Sequence, residues 1–210
     1  MARDIQPAAH TGPGLPDAQD EALARALIAH EARAPQVAWQ RFSPMVRRMI
    51  RRTLGPANDA EDLSQEVFLQ LFAKIHELRE PKVLKAFIIS ITTLTLCREL
   101  RRRKLRSWLG VRPDPAALDQ RVVYPDPIAR AALERFYTLL DRFVARERTA
   151  FILRVIEGVE VTEVAAALGV SLATAKRSIA RVQKRMLAHV GRDPLLADYL
   201  GAAMRKSEPD

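Results

Sequence analysis

Apolar positions recur every three or four residues along most of the chain, with polar positions on the opposite faces, which is the signature of amphipathic helices. In NDAEDLSQEVFLQLFAKIHEL (residues 58–78), Leu63, Val67, Leu71 and Ile75 fall four apart, with Phe68 and Phe72 beside them. That stripe predicts a helix with one broad core-facing side. The pattern over residues 21–105 is helical nearly throughout. It predicts a helix at about 20–33, then a second that Pro35 and Pro44 start or break, running to about Leu54 and ended by Gly55-Pro56. The helix containing Leu63 reaches about Leu78, Glu80-Pro81 interrupts the chain, and a long helix spans about 82–106. No strand-like alternation with hairpin turns is present.

Residues 107–127, SWLGVRPDPAALDQRVVYPDP, hold four prolines and no sustained period, and read as a linker. Helical patterning resumes from Ile128 to Val190, GRDP closes it, and a short helix is expected around Leu195 to Met204. The expected fold class is therefore all-α: two small helical domains joined by an extended linker. The expected divisions are a flexible tail (1–19), a first helical domain (20–106), the linker (107–127), a second helical domain (128–190) and a C-terminal tail (191–210).

The polar faces carry the chemistry. Asn58 is a candidate N-cap with Glu61 three residues on, and Asp59, Glu61 and Asp62 fall in the first turn, where the helix dipole favours negative charge. Asp59, Asp62, Glu66 and Gln70 continue along the face opposite the apolar stripe, with Leu69 among them. An apolar residue ringed by carboxylates suits docking to a basic partner.

In VEVTEVAAALGVSLATAKRSIARVQKRM (159–186), a short helix over 161–168 is followed by Gly169 as a turn and Ser171 as the cap of a second helix, with Thr174 at its third position. Leu172, Ala175, Ile179, Val182 and Met186 form its apolar stripe. Thr174, Arg177, Arg181, Lys184 and Arg185 fall on the other side. A helix-turn-helix with that face suits DNA: Arg177 and Arg181 on phosphates, Thr174 and Lys176 near base edges or the adjacent backbone. Glu160, ahead of the first helix of the pair, is a mediocre cap.

Composition agrees. The net charge is +9, with 34 Lys and Arg against 25 Asp and Glu, which favours a polyanionic partner. Cys97 is the single cysteine, so an internal disulfide framework is excluded, and its apolar setting predicts a buried thiol. No secretory leader is evident in the first twenty residues. The most apolar run, VLKAFIISITTLTLCREL, is too short and too interrupted to insert in a membrane. A cytoplasmic protein is expected. His10, His30, His76 and His189 are scattered without ligand spacing, so no metal and no cofactor is expected. Neither a phosphate loop nor a nucleophile elbow is present, and no enzyme active site is read.

Taken in order, DAEDLSQEVFLQLF (59–72), LKAFIISI (84–91), LRRRK (100–104) and LRVIEGVEVTEVAAALGVSLATAKRSIARVQKRM (153–186) resemble the extracytoplasmic-function sigma factors, two-domain subunits that direct bacterial RNA polymerase to promoters. The likeness spans about residues 20–190. It implies that Asp59, Asp62, Gln65, Glu66 and Leu69 dock on the clamp coiled coil of the largest subunit of core RNA polymerase. The long helix would read and open the minus-ten promoter element through Phe87, Ser90, Arg98, Arg101, Arg102, Arg103, Lys104 and Arg106. The helix-turn-helix would read the minus-35 element through Ser171, Thr174, Lys176, Arg177, Arg181, Lys184 and Arg185, with the linker threading towards the catalytic cleft. An anti-sigma protein is a further implied partner, and the nucleoid the implied location of the polymerase-bound form.

The chain departs from that family at Ile89, Ser90, Leu94 and Arg98, where bulkier polar or aromatic residues, Asn and Asp are common. This implies an apolar, hydroxyl-rich melting surface and an unusual minus-ten preference, since flipped bases rely on stacking and hydrogen-bonding edges. Leu84, Phe87, Ile88, Ile91 and Leu94 also form a stripe expected in the core. Two other readings stand beside the sigma factor: a sigma-derived polymerase adaptor that no longer melts DNA, and a conventional helix-turn-helix regulator.

Overall fold

The computed structural model describes residues 18–55, 60–110 and 127–197. Along them run α1 (Ala18–Ile28), α2 (Ala34–Leu54), α3 (Ala60–Lys74), α4 (Leu84–Trp108), α5 (Pro127–Leu140), α6 (Ala145–Phe151), α7 (Val161–Leu168) and α8 (Leu172–Val190). Single 3-10 turns at Ile75–Glu77 and Pro81–Val83 flank the break before α4, and a π turn at Ile152–Ile156 prolongs α6. Residues 194–197 are helical, and no strand occurs among the described residues. The expected cap Asn58, the acid Asp59, most of the expected linker and most of both tails lie outside the described residues.

Local chemistry explains where these helices stop. Helix α1 ends five residues before the expected boundary because His30 adopts the left-handed conformation, φ 56°. The His30 amide donates to Leu27 O at 3.1 Å and the Glu31 amide to Ala26 O at 3.0 Å, a paired closure of a helix C-terminus that glycine usually supplies. Gly169 ends α7 the same way, at φ 63°, with its amide on Ala166 O and that of Val170 on Ala165 O. Pro35 sits at the start of α2, while Pro44 lies inside it without ending it. Phe42, Ser43 and Val46 around Pro44 are buried, so packing holds the helix across the missing amide donor.

The core is divided in three. One cluster unites α1, α2, α3 and the first half of α4, from Leu23 and Leu27 through Phe42, Val46 and Phe68 to Leu84, Ile88 and Ile91. Trp39 and Phe68 meet there with ring centroids 4.7 Å apart. A second unites α5, α6 and α8 through Phe136, Leu140, Phe151, Val182 and Met186. The third is shared: Met49 of α2 and Ile89 and Cys97 of α4 pack with Ala150, Leu153, Val164, Ala167, Leu168 and Ile179.

Most of the expected core positions are inside, with two corrections. Leu94, expected in the α4 stripe, is 54% exposed, because it falls on the side that neither α2 nor the helix-turn-helix unit covers. Leu172, at the first position of α8, is also exposed, since α8 begins before it reaches its neighbours.

Candidate nucleic-acid and protein interface

Helix α3 turns its apolar side inward, with Val67, Phe68, Leu71 and the following Ile75 buried and Leu63 and Phe72 packed at the margin. Its other side carries the expected acidic face. Asp62 and Gln65 are exposed, Glu66 is half-buried, and Leu69 is 69% exposed. Asp59 lies outside the described residues. Gln70 donates to Glu66 Oε1 at 3.1 Å, and an Arg98 guanidinium nitrogen reaches the same carboxylate at 2.8 Å. The acidic face of α3 therefore joins the basic end of α4 directly.

Helix α4 is sorted by face. Phe87, Ser90, Leu94, Arg98 and Arg101 fall three or four apart and line its open side, Phe87 half-buried against the first cluster. Ile89, expected on the melting surface, belongs instead to the shared cluster and is 4% exposed. An aliphatic side chain gains by that burial. The hydroxyl-rich surface is also less available than the sequence implies. Ser90 Oγ donates to Ala86 O at 3.0 Å and Thr92 Oγ1 to Ile88 O at 2.8 Å, both within the helix's own turn.

The basic run at the end of α4 has an internal acid that the sequence reading passed over. Glu99 accepts from Arg103 at 2.8 Å and Arg106 at 3.1 Å, with Arg102 at 3.7 Å. Arg101 and Lys104 point to solvent. The positive surface there is weaker than the bare count of arginines suggests.

Helix α8 keeps its expected form. Ser171 Oγ accepts from the Thr174 amide at 3.2 Å, the N-cap bond that the spacing predicts. Glu160 makes no such cap ahead of α7 and pairs with Arg154 at 3.3 Å. Lys176, Arg177, Arg181, Lys184 and Arg185 are exposed. Arg181 pairs with Glu147 of α6 at 2.8 Å, and Arg185 lies over the Phe143 ring at 4.8 Å. So the recognition face is basic, but one of its two expected phosphate contacts already has a carboxylate.

The sigma-70 region 2 family model matches residues 38–106, and the sigma-70 region 4 model matches residues 133–186. Together they cover more than half of the chain, in the order found here. The chain belongs to the sigma-70 family, as an extracytoplasmic-function sigma factor. It is 27% identical to the ferric citrate uptake sigma factor FecI of Escherichia coli over 146 residues, 65% of this chain and 79% of FecI. It is 31% identical to the ECF RNA polymerase sigma factor SigE of Mycolicibacterium smegmatis over 147 residues, 67% of this chain and 55% of SigE. Its fold is similar to that of CnrH, solved in complex with the cytosolic domain of CnrY, with a TM-score of 0.60 and 20% identity, covering 83% of this chain and 98% of that one.

In this sigma factor the residues beyond the reach of sequence reasoning are those that act between the two units: Arg48, Arg52, Tyr137, Arg148 and Glu157. Tyr137 Oη donates to the carbonyls of Arg51 and Arg52 at 3.2 and 3.1 Å, and Arg148 Nε donates to Thr53 O at 2.8 Å. These are last-turn carbonyls of α2, which lack partners within the helix. Arg148 is 3% exposed and also holds Asp141; burial pulls its guanidinium below the ordinary arginine value, and Asp141 pulls it back up. Among the described residues, no helix is long and apolar enough to cross a membrane, and no group of three or more metal-ligating side chains occurs.

Proposed function

We propose that this sigma factor docks on core RNA polymerase through the acidic side of α3, using Asp59, Asp62, Gln65, Glu66 and Leu69, and that α4 and α8 read the two promoter elements. One observation carries the polymerase part: Leu69 stands 69% exposed beside Asp62 and Gln65, on the side of α3 facing away from the core. An exposed leucine alone means little, but set among carboxylates it gives a basic partner both a contact and a register. The clamp coiled coil of the largest subunit is the proposed partner.

Phe87, Ser90, Arg98, Arg101 and Lys104 are the proposed minus-ten contacts of α4, with Arg102 and Arg103 reaching DNA on release from Glu99. Ser171, Thr174, Lys176, Arg177, Arg181, Lys184 and Arg185 are the proposed minus-35 contacts. The bond-forming chemistry belongs to the polymerase, and the protein acts in the cytoplasm, at the nucleoid when polymerase-bound. An anti-sigma protein is a proposed regulator; CnrH was solved with such a small chain, the cytosolic domain of CnrY, bound to it.

The test is transcription from a genomic fragment library by sigma-free core polymerase supplemented with the purified chain. Discrete start sites that disappear with Glu66→Arg are the expected result. A second reading, an adaptor that binds core without melting DNA, is favoured by Leu94, an exposed aliphatic in the middle of the open face of α4. Stable core binding with no new start sites would establish it instead.

A further inference from the structure

Two of the three apolar clusters are private, one to each helical unit, and only the third is shared. Separating the units would therefore expose the third cluster and leave both main cores intact. The shared surface also contains polar groups that water can satisfy. Glu157 follows the π turn at Ile152–Ile156 and is 2% exposed at its side chain, with Arg48 at 2.9 Å and Arg52 at 3.1 Å. Both of those arginines come from α2, across the boundary. Arg52 also donates to Ile156 O at 3.0 Å. Thr93, one turn from both Ile89 and Cys97, is fully buried with its hydroxyl unsatisfied. Such groups lose by burial and regain hydration on separation.

We propose that this surface is an intramolecular clasp: in the free chain the helix-turn-helix unit is held on α2 and α4, latched by Glu157 between Arg48 and Arg52, and must leave them before both promoter elements are read together. The inference rests on the sigma reading above. Elements centred at minus ten and minus 35 are about 25 base pairs apart, or about 85 Å of duplex at ~3.4 Å per pair. Helix α4 has 25 residues and α8 has 19, about 37 and 28 Å long at ~1.5 Å per residue. With α7 packed on α4 and α8 joined to α7 through Gly169, the two reading faces are held too close to span that distance. The acidic side of α3, by contrast, stays open in the clasped form, with Asp62, Gln65 and Leu69 exposed. Docking on polymerase can thus precede release.

One side-chain pair makes the clasp testable with a single substitution. Cys97 Sγ lies 3.6 Å from Thr149 Oγ1, across the boundary, and no other cysteine exists in the chain. In Thr149→Cys, a two-electron oxidant such as diamide would join the two sulfurs with loss of both thiol protons, and dithiothreitol would return them. The link should form rapidly in the full-length chain and at least about tenfold more slowly in Thr149→Cys/Glu157→Lys, where a third cation repels Arg48 and Arg52. The oxidised chain should bind core polymerase yet initiate at least tenfold less than the same chain reduced, which should match wild type. Failure of the link to form, or equal initiation by the oxidised and reduced chains, overturns the clasp. Should Thr149→Cys fold poorly, Glu157→Lys alone decides: faster Cys97 alkylation than wild type supports the clasp, and an unchanged rate overturns it. Absence of start sites from wild type overturns the sigma reading and with it the inhibitory meaning, while link formation still reports closure separately.

Discussion

Arg98 of α4 lies 2.8 Å from the Glu66 carboxylate of α3, so a side chain assigned to DNA is paired with one assigned to polymerase. Both are substantially exposed, and such pairs contribute at most about 1 kcal/mol. Arg98→Ala should leave thermal stability within about 0.5 kcal/mol of wild type and core affinity unchanged or tighter. Promoter affinity, measured by anisotropy with the assembled holoenzyme, should fall. Loss of core affinity in Arg98→Ala would show that the pair shapes the docking surface.

Leu69→Asp and Asp62→Arg test the acidic face itself. Neither side chain is in the core, so the melting temperature should hold. Affinity for core polymerase should fall by about 2 kcal/mol or more, roughly thirtyfold, if Leu69 is a buried anchor in the complex. Competition against a labelled sigma factor reads this directly.

Arg177 and Arg181 differ in their surroundings. Each alanine variant should weaken DNA binding uniformly across sequences and lower the salt slope by about one. Glu147 holds Arg181 at 2.8 Å, so Glu147→Gln should tighten non-specific binding, whereas no comparable carboxylate restrains Arg177 in the described contacts. A salt titration with random-sequence duplex separates the two.

The turn between α7 and α8 depends on two small local devices. Ser171→Ala removes the acceptor of the Thr174 amide and should cost about 1 kcal/mol. Gly169→Val forces a branched residue to φ 63° and should cost about 1–2 kcal/mol. Denaturant midpoints of the full chain measure both.

Burial pushes the Cys97 thiol above its ordinary value, partly offset by its hydrogen bond to Thr149 and by Arg101 and Arg146. The folded chain therefore keeps its proton at a pH where the unfolded chain has begun to lose it. Stability from this group is complete below the unfolded thiol value, near about 8.5, and declines as pH rises towards the higher folded value. Cys97→Val should flatten that alkaline decline, and wild-type Cys97 should alkylate slowly until the units separate.

The helices, the two-unit organisation and the capped turn at Ser171 were legible because each rests on local spacing. The apolar stripe of α3 and the recognition face of α8 needed only a 3.6-residue period. What escaped was long-range. Nothing near Glu157 in sequence announces Arg48 and Arg52, which lie more than a hundred positions away. Glu99 was legible in principle, since Arg102, Arg103 and Arg106 follow at helical spacing, yet the arginines drew attention from it. Ile89 could be placed on α4 but not on a particular neighbour, because an aliphatic residue fits a DNA-facing surface poorly and a second core equally well.

The π turn at Ile152–Ile156 has a consequence for how this chain can vary. Such a turn is an α-helical turn carrying one surplus residue, closed here by the Glu157 amide on Ile152 O at 2.9 Å. Deleting a single residue from that stretch would restore the ordinary helix and rotate everything after it by about 100°, one residue's share of a 3.6-residue turn. Glu157 would swing off the two arginines while the apolar interior of α6 stayed whole. A one-codon deletion is thus enough to uncouple the halves of the molecule without dismantling either, and the reading frame offers selection a direct route between a restrained and an unrestrained version of the same factor.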